Sequence, residues 1–297
     1  MRKTTLSEAE LAAAFAPSLP PFSTEEARAQ ASRCLFCYDA PCTRACPTGI
    51  DVPRFIRQIL HGNETGAAET ILDANALGLT CARVCPTEVL CEGACVDRPL
   101  QGAPVPIGRL QRHAMEVGSA SFSAAPDTGR SVAVVGAGPA GLSCAWELRR
   151  LGHAVTIYES GSQPGGLGAL GIALYKIPVD EALAEANRIC EIGVEIQLSR
   201  PVDAALFATL REQYDAVFLA WGLGNTFSPG IPGEEGAGVM EALAWIKRLH
   251  AEPWREAPVG ERVLVLGGGN TAIDAAVNAA KLGAASVTLV YRRDESS

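Results

Sequence analysis

The chain has 297 residues, 48% of them hydrophobic, and a net charge of −8. That length allows two or three domains with sizeable cores. An acidic balance without a basic stripe excludes nucleic acid and anionic membrane surfaces as partners, and no uninterrupted apolar run is long enough to span a bilayer. The first nineteen residues lack the apolar core of a signal peptide, which points to a cytoplasmic location.

The N-terminus reads as short helices. Ser7 with Glu10 and Ser23 with Glu26 have capping-box spacing, and the Pro-rich stretch 17–21 separates the two segments. Next come Cys34, Cys37, Cys42 and Cys46, then helices opening near Asp51 and running 64–76, then Cys81, Cys85, Cys91 and Cys95. Eight of ten cysteines thus fall within about sixty residues. Such clustering in a cytosolic chain indicates a metal centre and not disulfides. Each set contains a Cys-Pro (Cys46-Pro47, Cys85-Pro86), the pattern of paired ferredoxin-type [4Fe–4S] clusters whose ligands interleave. A pair of thiolate zinc sites is the alternative chemistry. Residues 105–117 read as a closing helix, on which Gln111 and His113 are ordinary helix positions by composition, and residues 118–129 as a linker.

A β-branched run, 132–135, then enters Gly136, Gly138 and Gly141, with Pro139 and Ala140 between them. A helix to Leu151 follows, and a second strand, 154–158, ends in Glu159. This is a dinucleotide fingerprint. The first glycine allows the turn, the second a close pyrophosphate and the third helix–strand packing, while the acid accepts from a ribose diol. The loop Gly165-Gly166-Leu167 offers a further backbone approach to a cofactor. A helix with a strand after it (178–198) and a buried strand (214–221) continue the domain.

A second fingerprint begins at Arg262: strand 263–266, then Gly267, Gly269, Asn270, Thr271 and Ala272, then a helix to Leu282. Its following strand ends in Arg292 and Arg293 instead of an acid. Guanidinium groups pair with a 2′-phosphate, whereas an acid repels it. The expectation is FAD at the first site and NADPH, in preference to NADH, at the second. Because an open parallel sheet needs more strands than follow Arg262, we expect the chain to be a piece of a longer protein.

The runs 34–48 and 75–87 and the segment Ile107-Gly-Arg-Leu-Gln111 resemble the electron-input portion of dihydropyrimidine dehydrogenases and, more loosely, the small subunit of glutamate synthase. The resemblance extends from about residue 25 onward. It implies one cluster on Cys34, Cys37, Cys42 and Cys95, and another on Cys46, Cys85, Cys91 and the Gln111 side chain, with Cys81 spare. It places Lys176 where the family has a flavin-facing arginine. It further implies an FMN-containing partner, subunit or domain, that reduces uracil or thymine to the dihydropyrimidine in pyrimidine degradation. The alternatives are electron input to glutamate synthase or a non-catalytic cluster-bearing fragment. No residue of this chain is expected to act on the pyrimidine.

The expected architecture is therefore an α-helical iron–sulfur domain (1–118) with two [4Fe–4S] clusters. An α/β Rossmann-like FAD domain (130–257) and the start of a truncated Rossmann-like NAD(P)H domain (258–297) follow it.

Overall fold

The structure is a computed structural model and describes residues 2–224, 226, 228–251 and 254–293. The chain opens with β1 (Arg2–Lys3) and α1 (Glu8–Phe15). A helical stretch follows: α2 (Thr24–Ala31), α3 (Pro41–Ala45), α4 (Val52–Leu60), α5 (Glu64–Ala74), α6 (Gly78–Val84), α7 (Asp97–Gln101) and α8 (Ile107–Val117). The alternating part runs β2 (Ser131–Val135), α9 (Pro139–Arg150), β3 (Ala154–Tyr158), α10 (Gly166–Leu170), α11 (Val179–Glu191), β4 (Glu195–Gln197), α12 (Ala204–Gln213) and β5 (Ala216–Leu219). It ends with α13 (Ala242–Ala251), β6 (Pro258–Val259), β7 (Arg262–Leu266), α14 (Asn270–Lys281) and β8 (Ser286–Val290).

Local chemistry explains many of these boundaries. Both capping boxes form, with Ser7 opening α1 and Ser23 opening α2. The Asp51 carboxylate accepts from the Arg54 N–H at 3.1 Å and starts α4. That helix buries Val52, Phe55, Ile56 and Ile59, the spacing of a single helical face.

Two compact units result. The larger comprises Leu19–Gly166 and Asp180–Trp221. Its core runs without a break from the helical stretch, through Phe55, Ile71 and Leu110, to Val134, Trp146 and Ile157 of the sheet region. The sheet is parallel, in the order β4-β3-β2-β5. Residues 118–129 have no regular structure, as expected of a linker, but they are anchored. Phe122 meets Trp146 edge-on, with ring centroids 5.0 Å apart, a contact worth about 0.5–1.5 kcal/mol beyond its buried area. One expectation needs correction. β5 is not buried: Phe218 and Leu219 are 41% and 45% exposed, because β5 forms an edge of the sheet.

The smaller unit gathers three separate segments, Met1–Ser18, Leu167–Val179 and Gly222–Ser297. Residues 2–18 thus belong to the smaller unit, although the helical stretch that follows them in sequence belongs to the larger. β1 pairs antiparallel with β6, Arg2 opposite Val259, and α1 sends Leu11 and Phe15 into a core with Trp245, Ile246 and Leu282. β7 and β8 pair in parallel beside α14. Among the described residues, no helix is long and apolar enough to cross a membrane.

Candidate redox centre

The first cysteine set converges across sequence. Cys34, Cys37, Cys42 and Cys95 line one cavity, walled by apolar residues that include Val52, Ile56 and Val105. Chain order does not bring Cys95 there; the turns after α6 do. Burial raises the Cys34 thiol, with the Cys37 and Cys95 sulfurs adding to the effect. Burial likewise pushes Cys42 up to about 11. Asp97, 1% exposed, lines the same cavity and pairs with Arg33 at 2.7 Å.

A second group forms around Cys46. Burial raises Cys85, Cys91 (to about 12) and Cys81, and each also feels the Cys46 sulfur. Cys81, expected to be spare, therefore stands within this group. Gln111 of α8 is buried and donates its side-chain amide to the Gly78 carbonyl at 2.7 Å, which holds it against the first turn of α6. All ten cysteines are free thiols. Among the described residues, no three His, Cys, Asp or Glu side chains stand close enough to hold a single ion. In the first set the sulfurs surround a space. Four cysteines lining an apolar cavity suit a thiolate-ligated cluster, whose positive iron would displace the thiol protons.

The first glycine fingerprint has the expected geometry. Gly136 sits at φ +105°, and a Cβ there would meet the Ala220 carbonyl oxygen at 2.4 Å. A Cβ on Gly141 would lie 1.9 Å from the Gly136 oxygen, so α9 and β2 approach closer than any side chain permits. Gly138 differs: the nearest atom to its virtual Cβ is the Gly166 Cα at 4.0 Å. The space beside it lies at the uncapped N-terminus of α9, where Pro139 and Ala140 are exposed. Gly165 (φ +102°) donates to the Ala137 carbonyl at 2.7 Å and pins the second glycine loop to the first. Leu167, the next loop residue, is 50% exposed. The Glu159 carboxylate accepts from the backbone N–H groups of Ala137 (2.8 Å) and Gly161 (2.7 Å). The Ser160 hydroxyl donates to the same carboxylate at 3.2 Å. A carboxylate has about four acceptor positions, which leaves room for one ribose hydroxyl. Open backbone at a helix N-terminus fits a dinucleotide pyrophosphate.

In the smaller unit Gly267 has φ +132° and Gly269 precedes α14 with open space around it. Ala272 is buried, its Cβ 3.3 Å from the virtual Cβ of Gly267, so alanine serves as the close-packing residue. Asn270 is exposed and Thr271 half-buried at the head of the helix, and Arg292 and Arg293 are exposed just beyond β8. Lys176 forms an ion pair with Asp274 of α14 at 2.6 Å, and Tyr175 donates to the same carboxylate at 2.9 Å.

Sequence reasoning missed Asp274 and Glu185, two buried carboxylates. A signal existed for the second. Ala182, Glu185, Ala186 and Ile189 share the buried stripe of α11, so an acid stands where periodicity calls for an apolar residue.

Residues 12–121 match the family described as dihydropyrimidine dehydrogenase domain II, 4Fe-4S cluster, and residues 130–296 match the pyridine nucleotide-disulphide oxidoreductases. The chain is 39% identical over 284 residues to the NAD-dependent dihydropyrimidine dehydrogenase subunit PreT of Salmonella typhimurium, covering 93% of this chain and 67% of that protein. It belongs to the PreT family. The Escherichia coli PreT subunit is likewise 39% identical, with the same coverage. The glutamate synthase [NADPH] small chain of Escherichia coli is 36% identical over 95% of this chain and 63% of its own. In this chain the residues that match the 4Fe-4S family thus form the helical stretch, and those that match the pyridine nucleotide-disulphide oxidoreductases hold the parallel sheets.

Proposed function

We propose that this chain is the electron-input part of a dihydropyrimidine dehydrogenase. It takes electrons from a pyridine nucleotide and passes them, through FAD and two [4Fe–4S] clusters, to an FMN-containing partner that reduces uracil or thymine. The observation that carries this reading is the cavity bounded by Cys34, Cys37, Cys42 and Cys95, in the same compact unit as the first glycine fingerprint. Those four residues would hold one cluster, and Cys46, Cys85, Cys91 and Gln111 the other. A bound flavin supplies the exchange between two-electron and one-electron chemistry.

The protein's own part is placement. Gly136, Gly138, Pro139, Ala140 and Gly141 present backbone to the FAD pyrophosphate, Glu159 accepts from its ribose, and Gly165, Gly166 and Leu167 close the same side. Gly267, Gly269, Asn270, Thr271 and Ala272 do the same for the nicotinamide dinucleotide. Lys176, tied to Asp274, borders that second site. Arg292 and Arg293 favour a 2′-phosphate and hence NADPH. The PreT relatives carry NAD in their names and the glutamate synthase chains NADPH, so this preference rests on the arginines alone. Val52, Ile56, Val105 and Ile107 would give a cluster held by Cys34, Cys37, Cys42 and Cys95 an apolar wall.

Anaerobic purification with iron, sulfide and flavin analysis tests the reading, followed by NADPH-dependent bleaching of the visible spectrum. Brown protein that bleaches, and that supports uracil reduction when mixed with a pyrimidine-reducing subunit, is the expected result. Colourless, iron-free protein overturns it. Bleaching that supports only a glutamine-using partner moves the chain to the glutamate synthase branch.

A further inference from the structure

Three buried carboxylates stand near the redox machinery, and they are treated differently. Asp97 pairs with Arg33, and Asp274 with Lys176. Glu185, 0% exposed, is held by neutral donors. It accepts from the Leu79 N–H at 2.7 Å, the Thr80 N–H at 3.1 Å and the Thr80 hydroxyl. Burial is the largest influence and raises the Glu185 carboxyl above its ordinary value, while these donors, together with the Arg188 charge one turn along α11, work in the opposite direction. A group that only accepts, at three donors, matches a carboxylate.

The donors belong to the first turn of α6. That helix has no capping side chain of its own, because its N-cap is Leu77. Glu185 supplies the cap from 105 residues away in sequence. The same turn offers the Gly78 carbonyl that fixes the Gln111 amide, and α6 ends at Cys85. One carboxylate therefore anchors the segment on which two of the second cluster's ligands depend.

We propose that Glu185 is a positioning residue for that cluster. It fixes the α6 turn that aims Gln111 and Cys85, and it restores the negative charge lost when a neutral amide stands where a thiolate is usual. Net charge and neighbouring dipoles set cluster potentials, so a fixed carboxylate holds this one lower than an amide ligand alone would. The proposal rests on the assignment of Cys46, Cys85, Cys91 and Gln111 as ligands.

The test is an EPR-monitored redox titration of the anaerobic, cluster-loaded protein, with iron and flavin content measured in parallel. Glu185→Gln should raise the midpoint potential of one cluster and leave the other unmoved, at unchanged flavin content. Thr80→Val keeps the charge but loosens the clamp. It should alter the line shape of that same cluster and move its potential less than Glu185→Gln does. Wild-type potentials and spectra in both variants overturn the proposal, as does an equal shift of both clusters. If Glu185→Gln loses its iron, Thr80→Val decides alone, and an unchanged spectrum overturns the idea. Failure of the underlying assignment looks different: Gln111→Ala would then leave both clusters intact.

Discussion

The side-chain amide of Gln111 donates to the Gly78 carbonyl oxygen at 2.7 Å. A carbonyl can only accept, so the amide nitrogen is committed to the backbone and the oxygen is turned away from Gly78. Oxygen is the atom an iron centre would need. With the ligand sets proposed above, Gln111→Ala should lower the iron content by about half, since one of the two proposed clusters would lose a ligand. Gln111→Glu keeps an oxygen ligand and adds a charge, so iron is retained and the potential of that cluster falls. Iron assay and redox titration read the two outcomes.

Gly138 and Gly141 separate binding from folding. Gly141→Ala forces a Cβ onto the Gly136 oxygen at 1.9 Å and should destabilise the protein by about 1–3 kcal/mol, read as a lower melting temperature. Gly138→Ala meets nothing closer than 4.0 Å, so its melting temperature in the absence of cofactor should match wild type. Flavin content should nevertheless fall, because the new methyl occupies the space left for the pyrophosphate.

Arg292→Ala with Arg293→Ala should raise the KM for NADPH at least tenfold while leaving that for NADH nearly unchanged. Charge-assisted hydrogen bonds to a phosphate are worth about 1.5–3 kcal/mol, and about 1.4 kcal/mol is a factor of ten. Equal effects on both nucleotides would remove the 2′-phosphate assignment.

His250 gives the smaller unit a pH limit. Its Nε2 lies 2.8 Å from the Ile172 carbonyl oxygen, so this nitrogen carries the proton and donates. Its Nδ1 is buried without a partner. Burial holds the imidazole below its ordinary 6.5. A group whose folded value is depressed binds its proton more readily when unfolded, so its contribution is complete above about 6.5 and is lost as pH falls below that. His250→Gln, which keeps a donor for Ile172, should flatten the decline in melting temperature as pH falls below about 6.5.

The parts of this fold that were legible in sequence are those written in local chemistry. Ser7 and Ser23 announce their helices through acids three residues on, and β2, α9 and β3 follow from three glycines and two apolar runs. The clustering of the cysteines was legible in sequence, but the convergence of Cys34, Cys37, Cys42 and Cys95 on one cavity depends on Cys95 returning to Cys34, which spacing alone does not encode. What was hidden is long-range. Glu185 reads as an ordinary helix acid until α6 is placed against it, and nothing near Lys176 signals Asp274, nearly a hundred residues on. β5 looks buried because Val217, Phe218 and Leu219 are apolar, while its exposure is a property of sheet order.

The antiparallel contact of β1 with β6 has a consequence for biosynthesis. Residues 2–18 leave the ribosome more than two hundred residues before their neighbours at 245–282. Leu11 and Phe15 must stay uncommitted while the larger unit is made. Closing so long a loop is slow, and exposed apolar side chains invite association in the interval. A bulky affinity tag placed directly before Arg2 would weigh on β1, which pairs with β6, and should lower the yield of native protein.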